Sequence, residues 1–113
     1  FDPSLSFRDL EWIAAQTRLP VLVKGVARPD DAVQSLAHGA GGVIVSNHGG
    51  RQLDASPGTA DVLGPVAEAV DGRAPVLVDG GIRRGVDVLR ALALGARAVL
   101  VGRPVLWGLT MGG

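Results

Sequence analysis

Four short apolar runs built from Val, Ile and Leu recur along the chain: "PVLVKG" from Pro20 to Gly25, "GVIVSN" from Gly42 to Asn47, "PVLVDGG" from Pro75 to Gly81, and "AVLVGR" from Ala98 to Arg103. They are continuous rather than alternating, the pattern of strands buried on both faces of a parallel sheet. The segments between them carry helical signals. "RPDDAVQSLAHG" has Pro29 near a helix start and Gly39 at the C-terminal cap, and "RRGVDVLRALALG" places Val88, Leu89, Leu92 and Ala93 on one face before Gly95. In "TADVLGPVAEAVDG" the pair Gly64-Pro65 is expected to break or kink the helix, leaving a short turn and then a helix. "SFRDLEWIAAQTR" opens on Ser6 as an N-cap, and a tail helix is expected from about Pro104.

Repeated βα units with right-handed crossovers build either an open doubly wound sheet or a sector of a barrel. The polar residues favour the barrel. Each run ends on its C-terminal side in a chemically capable group: Lys24, then Ser46, Asn47 and His48, then Asp79, then Gly102 and Arg103. Barrels assemble their sites from successive strand ends, whereas an open sheet concentrates its site at one switch point. A complete barrel takes eight such units and about 250 residues. This chain of 113 residues supplies four, so half a barrel is expected.

The 11 basic residues cancel the 11 acidic ones, which gives no support to a role on nucleic acid or an anionic membrane surface. With no cysteine there are no disulfides and no thiol-based metal or redox chemistry, which suits an intracellular protein. No apolar run reaches membrane-spanning length, and charges interrupt the opening "FDPSLSFRDLEW" before a secretory apolar core can form. A cytoplasmic location is the expectation, with membrane association of the intact protein left open. No paired-histidine spacing or acidic cluster indicates a metal.

At the last strand end, Gly102 permits close approach of backbone to a ligand, Arg103 can fork onto phosphate, and Pro104 can begin a helix. "DGGIRRG" after the third strand, with Arg83 and Arg84, completes what looks like a barrel phosphate site facing helix N-termini. The alternative is a tight Gly80-Gly81 turn with solvated arginines. Asp79 is an acceptor suited to a ligand hydroxyl, or else a cap for the next loop. Lys24 is expected to meet an anion or polarisable ligand, unless its stem carries the amine to solvent. His48 is the best candidate base, because imidazole exchanges a proton near neutral pH. Arg51 offers two parallel donors to a carboxylate, and Gly49-Gly50 lets the chain turn so that both face one cavity. His38, beside a C-cap glycine, is accounted for by the helix dipole and is given no catalytic role.

"LPVLVKGV", "GVIVSNHGGRQLD", "PVLVDGGIRRGVDVLRALALGA" and "VLVGRPVLWGL", in that order, resemble the C-terminal half of the FMN-dependent 2-hydroxy acid oxidases and dehydrogenases. That family includes enzymes of glycolate, lactate and mandelate. The resemblance runs from about Leu19 to Gly108, and "DPSLSFRDLEWI" looks like the helix before the family's fifth strand. It implies an α/β fold, strands 5 to 8 with their helices of a TIM (β/α)8 barrel, with residues 1–113 as that half and the N-terminal half absent. It further implies His48 as base, with Arg51 binding the substrate carboxylate. FMN would be held by Lys24 at the flavin ring, Ser46 at the flavin, Asp79 at the ribityl chain, and Gly80, Gly81, Ile82, Arg83, Gly102 and Arg103 at the phosphate. The reduced flavin would be reoxidised by dioxygen or another acceptor. The partners implied are a small 2-hydroxy acid, the complementary N-terminal half, and further copies in a homo-oligomer, a tetramer. Two other readings stay open on the residues: a non-catalytic FMN- or phosphate-binding half-barrel, and another FMN barrel enzyme.

Overall fold

A computed structural model describes residues 2–113. The order of elements is α1 (Phe7–Ala15), β1 (Leu22–Val26), α2 (Pro29–Ala37), β2 (Gly42–Val45), α3 (Thr59–Val70), β3 (Val76–Val78), α4 (Gly85–Ala93), β4 (Ala98–Val99) and α5 (Arg103–Met111). The strands form one parallel sheet in the order β1-β2-β3-β4. Sequential order with crossovers of one hand puts the connecting helices on one face, whereas a doubly wound sheet reverses direction and covers both. The core agrees: Val43, Val45, Val76 and Val78 pack with Ala32 of α2, Leu63, Val66 and Val70 of α3, and Ala91 of α4. Burying each of the larger of these side chains contributes about 1.5–3 kcal/mol.

The opposite sheet face carries Leu22, which pairs with Gly42, and a row of Lys24, Ile44, Leu77 and Ala98 that the register places side by side across all four strands. Only β2 is buried throughout, and Leu22 at the β1 edge remains 37% exposed. The expectation of strands buried on both faces therefore holds for β2 alone, because no layer of described residues covers this second face.

One residue of β1 breaks the register. Lys24 pairs with Ile44 and Val26 with Val45, leaving Gly25 as a bulge at φ 102°. Without that extra residue Val26 would fall on the open face; with it, Val26 returns to the core at 4% exposure.

Ser6 caps α1 as expected, its N–H donating to the Asp9 carboxylate at 2.7 Å. Pro29 opens α2, and Gly39 and Gly95 follow the ends of α2 and α4 at positive φ. α5 begins at Arg103, one residue before the expected start. The break expected at Gly64-Pro65 does not occur, since α3 is continuous from Thr59 to Val70. Pro65 lies on the exposed side of α3, where water can satisfy the carbonyl that loses its partner, and Gly64 has no Cβ to clash with the proline ring. Leu63, Val66 and Val70 on the buried side hold the helix together. His38 does more than face a dipole: its Nδ1 lies 2.7 Å from Glu11 and its ring stacks on Phe7, tying α1 to α2.

Candidate functional site

The C-terminal ends of the strands open into a cleft of about 600 Å³. Its lining brings together Lys24, His48, Arg51, Asp79, Gly80, Gly81, Ile82, Arg83, Gly102 and Arg103, ten of the eleven residues singled out from sequence. Ser46 is the exception. It is 2% exposed and does not line the cleft; its Oγ accepts from Lys24 Nζ at 2.7 Å and from the His48 backbone N–H at 3.1 Å.

Lys24 reaches from β1 over the end of β2 to Asp79 after β3, where Nζ meets Oδ2 at 2.8 Å. This is the anion expected for Lys24, supplied by the chain itself. It also replaces the loop-capping alternative for Asp79. The other Asp79 oxygen, Oδ1, is buried and has no hydrogen-bond partner, alone in this among the side-chain atoms of the described residues. A buried carboxylate oxygen without a donor is a costly arrangement, and at a cleft wall it marks where a ligand donor belongs.

The β2–α3 loop is shaped by Asn47, whose Oδ1 accepts from the N–H groups of Gly49 and Gly50 at 3.1 and 3.2 Å, while Nδ2 donates to Pro57 O at 3.2 Å. His48, Gly49 and Gly50 all sit at positive φ, which curls the loop over the strand ends. Arg103 at the start of α5 donates to Gly49 O at 3.3 Å, so the loop is tied to the far end of the sheet.

On the other side, Gly80 and Gly81 take φ 85° and 75°, a turn that residues with a Cβ adopt only under strain. The turn runs into α4, where Asp87 Oδ2 accepts from the Arg83 and Arg84 N–H groups at 3.2 and 3.0 Å. Those two backbone bonds hold the Asp87 carboxyl below its usual range. Arg83 lies with its guanidinium 5.6 Å from the Trp107 ring centroid, a cation–π contact that positions it at the cleft.

Sequence reasoning missed Trp107, Gln52, Leu100, Val101 and Pro104 as lining residues. Trp107 was findable, one helical turn after Arg103 and therefore on the same face of α5. Gln52 carried no separate signal.

Parallel βα units that bring a histidine, several arginines and two glycine–arginine loops together at one cleft define part of an α/β barrel. Comparison with known proteins agrees. The model of the FMN-dependent dehydrogenase family matches residues 1–113, and the chain belongs to that family. It is 58% identical over 112 residues to a 2-hydroxyacid oxidase of Dictyostelium discoideum, covering 99% of this chain and 29% of that relative. An L-lactate oxidase of Nostoc sp. is 54% identical over 112 residues, with 99% of this chain and 31% of the relative covered. A crystal structure of mandelate oxidase with 3,3-difluoro-2-hydroxy-3-phenylpropionic acid superposes with a TM-score of 0.92 at 52% identity, covering 96% of this chain and 33% of that one. The chain thus spans 29% and 31% of the length of these two curated relatives.

Proposed function

We propose that the protein to which these residues belong oxidises a 2-hydroxy acid to the 2-oxo acid with FMN, His48 serving as base and Arg51 binding the substrate carboxylate. The observation that carries this reading is the convergence of His48 and Arg51 with the two phosphate-competent loops in one cleft. Relatives named for 2-hydroxy acids, lactate and mandelate support the substrate class.

The residues present fit FMN. The unpartnered Asp79 Oδ1 is an acceptor for a ribityl hydroxyl. The Gly80-Gly81 turn with Ile82 and Arg83, and Gly102 with Arg103 at the start of α5, would grip the phosphate through amides and guanidinium. Lys24, kept in place by Ser46 and Asp79, would set its charge against the flavin ring. When bound, FMN supplies the two-electron acceptor, later reoxidised by dioxygen or another carrier. Arg51 orients the acid through paired donors to its carboxylate. His48 takes a proton at an imidazole nitrogen as the acid loses two electrons and two hydrogens. In this reading residues 1–113 contribute four units of the barrel, and a complementary segment provides the remainder of the cleft.

The test is anaerobic mixing of the FMN-loaded full-length protein with glycolate, lactate and mandelate. Bleaching of the flavin absorption by at least one is expected. A bound flavin that none of the three reduces would overturn the assignment.

A further inference from the structure

We infer that Gly25, outside the residues assigned above, is a positioning residue that seats the His48 imidazole. His48 forms no side-chain hydrogen bond among the described residues, so something other than a polar partner within them sets where its ring lies. The ring lies over Gly25. A Cβ built at Gly25 would stand 3.1 Å from His48 Cε1, 3.9 Å from Nε2 and 4.0 Å from Nδ1, so the ring occupies the space a side chain would take.

Two backbone features, one in β1 and one in the loop after β2, create this contact. The bulge in β1 leaves Gly25 unpaired at φ 102°, a conformation L-residues with a Cβ rarely adopt. In the loop after β2, His48 sits at φ 56° with its N–H fixed to Ser46 Oγ, and its ring lies back over β1. The bulge thereby has two consequences. It returns Val26 to the core, and it opens a Cβ-free seat beside Lys24, so the Lys24 side chain projects from the residue next to the one over which the His48 imidazole lies. A regular β1 strand would supply neither.

The inference rests on His48 being the base, and the experiment separates the two. In the FMN-loaded full-length protein, Gly25→Ala is expected to slow flavin reduction by about tenfold or more, because small misplacements of a reacting group cost up to about a hundredfold. FMN affinity is expected to be unchanged. Added to His48→Ala, the Gly25→Ala change should cost no further rate, since its effect passes through the ring. A Gly25→Ala penalty of equal size with and without His48 would overturn the inference.

A readout independent of activity is the His48 Cε1–H NMR resonance, assigned by its loss in His48→Ala; Gly25→Ala should move it. An unmoved resonance overturns the seat even if His48 proves to be the base. A moved resonance in an enzyme indifferent to His48→Ala sinks the base and keeps the seat. Should Gly25→Ala fold poorly, Gly25→Ala/His48→Ala should melt higher than Gly25→Ala alone, because removing the ring makes room for the methyl. Equal melting of the two would count against the contact.

Discussion

His48 is held in a left-handed conformation that costs roughly 1–2 kcal/mol for a residue with a Cβ. The cost is offset by the Asn47 turn and the Ser46 bond, which together fix the backbone on both sides of the ring. Replacing His48 with Ala therefore removes the proposed base without removing the loop's supports. Flavin reduction is expected to slow by about 10²–10⁴, the usual contribution of a positioned base, with FMN affinity unchanged by fluorescence titration. Arg51 makes a different prediction. Arg51→Lys keeps the charge and loses the parallel donors, so the KM for the acid should rise and the reduction rate should fall together. These residues were legible because polar groups closing an apolar run demand a reason. Their mutual contacts were not, since the Lys24–Asp79 pair and the Gly25–His48 contact join strands far apart in sequence.

At the scale of elements, the alternation of strand and helix was readable almost throughout, because periodicity and glycine caps act locally. The two departures, a continuous α3 and the β1 bulge, both depend on which face of an element meets the core, a fact no local pattern contains. The phosphate-competent turn before α4 likewise depends on a residue outside it. Asp87 holds the Arg83 and Arg84 amides, so Asp87→Ala should loosen the turn and weaken FMN binding while the flavin that does bind is reduced at the normal rate. Its pH behaviour follows from the depressed pKa. A carboxyl held below the usual aspartate value of about 3.9 contributes stability that is fully present above that value and is lost as pH falls through the lower folded value. Urea midpoints followed below about pH 4 should show an acid decline that is shallower in Asp87→Ala; identical slopes would contradict this role.

The molecule as a whole exposes more surface than its mass requires. A folded monomer of 11.5 kDa is expected to expose about 5,800 Å², whereas this chain exposes 7715 Å². Its radius of gyration is 14.8 Å, against about 13.3 Å for a compact chain of this length. The surplus, about 1,900 Å², is the scale on which obligate partners cover one another. It has identifiable sources: the open sheet face with Leu22 and Leu77, the free edges of β1 and β4, and α5, on which Val105, Leu106, Leu109 and Met111 are all more than half exposed. Apolar area of that size contributes no stability until something covers it, and unpaired strand edges recruit further strands. Residues 1–113 produced alone should therefore self-associate, eluting from size-exclusion columns as larger species whose share grows with concentration. Co-expression with the rest of the full-length sequence as a separate chain should instead give a defined complex that takes up FMN. A monodisperse 11.5 kDa monomer, stable across concentrations, would mean that the open face is tolerated in water and that the cleft needs no covering segment to persist.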